Sequence, residues 1–172
     1  MPVHDEVEEH VHHAQDPFDK TVAGSMAIIA AVLAVVSVLG QHFNTEKLLN
    51  QQLGSDQWAY YQAKDIRRYT AQATSDLLTA LKANPAVVSR YTQDANRYKQ
   101  QSAEIQNKAR EFERERDRAG QRADHFHLGE ILLEIAIVFC SLAILSKRQP
   151  LFVGGVALAV IGGVIAVAAY WV

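Results

Sequence analysis

Glu130 and Glu134 are the two residues of this chain best placed to do chemistry. They stand one helical turn apart, on a shared face, in the stretch 128–146, which carries no other charge. Carboxylates in so apolar a setting are costly, and they serve ion or proton passage or bond to a neighbouring helix end. Both lie toward the polar end of that stretch, where a bond to Arg122 would answer the cost equally well. His4, His10, His12 and His13, with Glu8 and Glu9, form a second cluster near the N-terminus. Their spacing matches no rigid metal site, because no cysteine joins them and no scaffold holds them. His125 and His127 are too few to specify a metal. The one cysteine, Cys140, excludes an intramolecular disulfide and reads as buried filler. No nucleophile elbow, phosphate loop, zinc-protease helix or dinucleotide-binding turn occurs. The expectation is no catalytic residue, no cofactor, no metal, and hence no enzyme.

The elements that must position the glutamates are legible from hydropathy. The chain has 172 residues and a formal net charge of −2, and its apolar residues fall into three blocks. Residues 21–40 and 151–172 carry no charge, and 128–146 carries only the two glutamates. As a helix, each block covers roughly 30 Å of hydrocarbon. The spans are expected at 21–40, 129–146 and 151–172, with a short basic loop, 147–150, before the third. The tail 1–20 carries about −5 from six acids and one lysine, unlike the basic start of a secretory signal. Small residues four apart let helices meet closely in lipid. Ala23, Ala27 and Ala31 form such a row in the first span, and Gly155, Ala159 and Gly163 form one in the third. Tyr170 and Trp171 read as an interfacial anchor.

Between the first two spans, Asn84-Pro85 is the one strong helix break, and it divides the region into arms of equal length, 41–83 and 86–128. The spacing predicts an antiparallel coiled-coil stalk with its tip at 84–85, each arm reaching roughly 60–65 Å. A stripe with strides of three and four runs through Val88, Tyr91, Ala95, Tyr98, Ser102, Ile105, Ala109, Phe112, Arg116, Ala119, Ala123 and Phe126. It continues through Glu130 to Leu133, Ile137, Cys140 and Ile144. So the second arm and the second span are expected to be one helix. The first arm offers Leu81, Leu77, Thr74, Thr70, Ala63, Tyr60, Leu53, Leu49 and Phe43 to this seam, with Phe43 opposite Phe126 and Tyr60 opposite Ala109. Trp58, Tyr61, Ile66 and Tyr69 lie off the seam, as interface aromatics do. Arg110, Arg114, Arg118 and Arg122 form a ridge at i, i+4 spacing, where like charges repel. The facing arm offers few acids, so the ridge is expected to meet acids of a neighbouring copy or to be a solvated face.

The stretch Asp56-Gln57-Trp58-Ala59-Tyr60-Tyr61-Gln62-Ala63-Lys64, followed by Ile66 and Arg67, resembles the signature of an uncharacterised bacterial membrane-protein family, domain of unknown function 4337. In that family a short tail and a membrane helix precede the stretch. A charged helical region and two membrane helices split by a basic loop follow it, and Lys147 and Arg148 match that loop. The resemblance implies the three-span layout and no activity.

The reading is an all-α integral membrane protein with three transmembrane helices and a helical-hairpin stalk, in a bacterial inner membrane. Its role is expected to be that of a scaffold or accessory subunit that self-associates or binds another membrane protein through the stalk. The alternative is an oligomeric channel or ion-conducting assembly using Glu130 and Glu134. Nothing points to nucleic acid, since the chain is not basic. The basic loop favours a cytoplasmic N-terminus with the stalk outside, although Arg114 to Arg122 favour the reverse.

Overall fold

The computed structural model describes residues 17–171, and the histidine cluster of the tail lies outside them. Among the described residues the chain is all helix: α1 (Pro17–Ala80), α2 (Pro85–Ser146), α3 (Gln149–Ala168) and a closing 3₁₀ turn, Ala169–Trp171. With no proline between Pro17 and Pro85, α1 runs uninterrupted through both the apolar block and the polar segment after it. Three helices are long and apolar enough to cross a membrane. The chain divides into two compact units, Met1–Asn44 with Gly120–Val172, and Thr45–Ala119.

In the Thr45–Ala119 unit, α1 ends and α2 begins with paired caps. Lys82 takes a left-handed conformation (φ 51°). The Lys82 N–H donates to the Thr79 carbonyl and the Ala83 N–H to that of Leu78, both at 3.0 Å, so two carbonyls left over at the helix end are satisfied. Asn84 then caps α2, its Oδ1 accepting from the Ala86 N–H at 2.9 Å, and Pro85 supplies the preset first turn. The two helical segments run antiparallel: Gly54 faces Phe112, Lys64 bonds Gln101, and Ser75 bonds Thr92. Every residue of the α2 stripe from Val88 to Ala119 is buried or half-buried.

The other unit is an apolar three-helix cluster. Val22, Ile29 and Val36 of α1, seven residues apart, are buried with Phe126, Leu133, Ala136 and Cys140 of α2 and with Ala166 and Ala169. Phe43 stacks on Phe126 (centroids 5.5 Å, interplanar angle 11°), and Tyr170 meets Phe126 edge-on at 5.8 Å. At the far end Phe18 meets Phe152, and Lys147 pairs with Asp19. Helices α2 and α3 approach until backbone meets backbone. A Cβ on Gly129 would lie 2.8 Å from the Gly162 carbonyl oxygen, and one on Gly162 would lie 2.9 Å from that of Gly129. Only residues without side chains permit this approach.

Candidate functional site

The Trp-Tyr-Tyr-Lys stretch of α1 is built into the Thr45–Ala119 unit. Trp58 is half-buried, and its Nε1–H donates to Glu113 Oε1 of α2 at 2.9 Å. Tyr61, also half-buried, packs edge-on against the indole at 5.5 Å. The Lys64 ammonium donates to Gln101 Oε1 at 3.1 Å and lies over the Tyr60 and Tyr98 rings, 5.4 and 5.6 Å from their centroids. Charge, ring face and amide thus hold α1 against α2. Trp58 and Tyr61 therefore serve the internal seam, whereas Ile66 and Tyr69 are exposed.

The face that α1 turns inward differs from the one expected from apolar spacing. Inward are Asn50, Gly54, Trp58, Tyr61, Lys64, Ala71 and Ser75. Outward are Leu49, Tyr60, Leu77 and Leu81, which are 57, 50, 59 and 68% exposed. The reason is polar pairing. Trp58, Lys64 and Ser75 each find a partner on α2, and small residues at Gly54, Ala71 and Ser75 let the backbones close in.

Of the arginine ridge, Arg110, Arg114 and Arg118 are exposed and make no ion pair among the described residues. Arg110 and Arg114 edge an open polar basin of about 610 Å³. Its two carboxylates are already engaged, Glu113 by Trp58 and Asp117 by Arg116. Arg122, in the other unit, differs: it is half-buried with its guanidinium 5.6 Å from the Phe43 ring centroid.

In the three-helix unit the two glutamates part company. Glu130 is half-buried, 3.5 Å from His127 Nδ1, and lines a polar pocket of about 300 Å³ with Gln41, Asn44, Asp124 and His127. Glu134 faces outward. Ala23, Ala27 and Ala31 also face outward, exposed among the described residues. On α3, Gly155 is buried and Ala159 packs on the core, but the next small residue in the contact is Gly162; a Cβ on Gly163 would meet nothing within 4 Å. Ala31 and Gly163 line one open apolar groove of about 800 Å³ between α1 and α3.

A family model described as Domain of unknown function (DUF4337) matches residues 18–172. The chain belongs to the DUF4337 family. No curated protein and no solved structure matches it.

In this DUF4337 protein, the polar side chains that meet in space include Trp58 with Glu113, Lys64 with Gln101, Ser75 with Thr92 and Glu130 with His127. Among the described residues no group of three histidine, cysteine, aspartate or glutamate side chains is placed to hold a metal. Several exposed groups have no partner among the described residues. They are the outward row of α1, the free arginines of α2, and Glu134. Sequence reasoning did not single out Gly129, the glycine that receives Gly162. Its signal was available only as a glycine one residue before Glu130 at the start of an apolar helix. The pairing of Ser75 with Thr92 was likewise invisible until the helix faces were known.

Proposed function

We propose that this protein is a non-enzymatic membrane scaffold or accessory subunit that self-associates or binds a partner through a water-facing helical hairpin. In this reading the three apolar helices cross a bacterial inner membrane. The N-terminus is cytoplasmic and the hairpin outside, as the short basic loop around Lys147 and Arg148 suggests. The observation that carries the reading is the outward row Leu49, Tyr60, Leu77 and Leu81. An apolar row of this length left in water marks a protein interface. Arg110, Arg114 and Arg118 add three uncompensated charges suited to carboxylates of a partner or a second copy.

The test is native mass spectrometry of the full chain extracted gently from its own membrane, wild type against the double variant Leu77→Lys, Leu81→Lys. A discrete complex that dissociates in the variant is expected. A wild-type chain that leaves the membrane as a monomer with lipid only would remove the reading. The second reading, an ion- or proton-conducting assembly, is favoured by one observation: Glu134 stands outward on an apolar helix with no partner among the described residues. Flux across liposomes that is unchanged by Glu130→Gln with Glu134→Gln would discard it.

A further inference from the structure

The outward face of α2 holds two polar side chains that nothing among the described residues satisfies. Glu134 is exposed and has no hydrogen bond or ion pair among the described residues. Seven residues on, Ser141 is exposed and its hydroxyl is equally without a partner there. Ser25 and Ser146 instead donate to the carbonyls of Thr21 and Leu142, four residues back, at 2.9 and 2.6 Å, while Ser37, half-buried on α1, shares with Ser141 the lack of a partner among the described residues. Ile131, Val138 and Leu145 complete the exposed row, so its strides are three, four, three and four. That period belongs to a helix-pairing seam, and it lies opposite the buried row Leu133, Ala136, Cys140 and Ala143.

Depth makes the two polar groups matter. A Cβ on Gly40 would lie 3.3 Å from Phe126 Cβ, and the Tyr170 ring meets Phe126 at 5.8 Å. The polar ends of the first and third apolar helices therefore reach α2 at Phe126, just where Gln41 and the aromatic anchor begin. At the helical rise, Glu134 is about 12 Å beyond that level and Ser141 about 22 Å, both within a hydrocarbon layer of about 30 Å. Glutamate has no long stem with which to return to water from there. A carboxyl group at that depth takes a partner on a neighbouring helix.

We propose that this face of α2 is the seam of a parallel pair with a second copy of the chain, in which Glu134 meets Glu134 and Ser141 meets Ser141. The inference rests on the reading above that these helices sit in a bilayer. Copies inserted with one topology are parallel, so a two-fold axis along the membrane normal sets equal residues at equal depth. Like then satisfies like. Two carboxyl groups that share a proton are joined by a hydrogen bond, and two hydroxyls donate and accept between them in the same way. The apolar blocks 21–40 and 151–172 contain no lysine or arginine, so α1 or α3 of another copy would offer Glu134 no cation. A cationic helix from a different protein would answer Glu134 but gives no reason for Ser141 one heptad away.

The experiment uses the full chain in native membrane vesicles, on a Cys140→Ser background. Ser141→Cys and Val138→Cys probe the seam, and Val153→Cys, exposed on α3, is the control. After copper-phenanthroline oxidation, the two seam positions are expected to yield a disulfide-linked dimer and Val153→Cys only monomer. Adding Glu134→Leu to Val138→Cys should weaken dimerisation by about tenfold, the size of one interhelical polar contact, whereas Glu134→Gln, which still donates and accepts, should not. Monomer at both seam positions, cross-links to a different protein, or equal yield at Val153→Cys would overturn the proposal. A carbonate wash on the same vesicles separates the underlying reading: a chain that washes off is not membrane-spanning, and the inference falls with it for that distinct reason.

Discussion

Two adjacent glycines of α3 should respond in opposite directions to the same methyl group. Gly162 is buried, and a Cβ there would stand 2.9 Å from the Gly129 carbonyl oxygen and 3.0 Å from Leu132 Cβ. Neither neighbour is the free end of a flexible side chain, so α2 and α3 would have to separate by several tenths of an ångström. That separation loosens the contact of Gly129 with Ala166, where a Cβ would lie at 3.1 Å, and weakens dispersion along the interface. Overpacking of this kind costs about 1–3 kcal/mol, against a helix-propensity gain of at most about 1 kcal/mol. Gly163 is one residue on and open, so Gly163→Ala keeps the propensity gain and meets nothing. The propensity gain is common to both variants, so they should differ by the overpacking cost, about 1–3 kcal/mol.

Cys140 supplies the assay. It is fully buried, and a Cβ on Gly155 would lie 2.9 Å from its Sγ, so the thiol becomes reactive when α2 and α3 part. Maleimide labelling of Cys140 across a dodecyl sulfate titration in mild detergent should move to lower denaturant for Gly162→Ala and stay, or move higher, for Gly163→Ala. Gly24→Ala, on α1 in open space, is the matched control and should behave as Gly163→Ala does. If Gly162→Ala proved as resistant as Gly163→Ala, close backbone contact would not be what holds these helices together.

Three further outcomes follow from the contacts of the Thr45–Ala119 unit. Asn84→Ala removes the cap on the Ala86 N–H and should cost about 1 kcal/mol in thermal unfolding followed by helicity, whereas Lys82→Gly relieves the left-handed backbone and should be neutral or stabilising by up to about 1 kcal/mol. Trp58→Phe keeps an aromatic ring but deprives Glu113 of its donor; a loss of about 1–2 kcal/mol is expected, and Glu113→Gln, which still accepts, should lose less. A double-mutant cycle of Ser75→Ala with Thr92→Val should return a coupling of about 1 kcal/mol, and a value near zero would mean that the two hydroxyls do not bond in solution.

The helical class and the apolar helices could be read from the chain because they rest on bulk properties. Charge-free blocks long enough to span, and one proline-marked break, leave little else to form. The α2 stripe was legible too, since its apolar residues outnumber its polar ones and each of them is buried or half-buried. On α1 the same reasoning picks the wrong face. It counts Leu49, Tyr60, Leu77 and Leu81 as core, while the structure buries Asn50, Gly54, Ala71 and Ser75. Apolar spacing carries no information about hydrogen-bond partners that lie a helix away, and those partners choose the face here. On α3 the doubled glycines 154–155 and 162–163 offer one member of each pair to α2, and the positions of Cys140 and Ala136 opposite Gly155 and of Gly129 opposite Gly162 decide which.

One period thus solves two different problems along α2. In the Thr45–Ala119 unit the seam pairs small residues with aromatic, amide and hydroxyl groups. Burying apolar area alone would not distinguish one register of this pair from another, and specific bonds such as Trp58 to Glu113 and Lys64 to Gln101 do so. In the other unit the seam turns to Phe126, Leu133 and Cys140, set against glycine and alanine. If these helices lie in a bilayer as proposed, lipid is as apolar as leucine and apolar area gives no drive to associate, so close packing at Gly129, Gly155 and Gly162 takes its place. By the same logic a polar residue left outside an apolar helix stands out far more than a leucine left outside a helix in water. Glu134 is therefore a stronger sign of a neighbour than Leu48, although both are exposed.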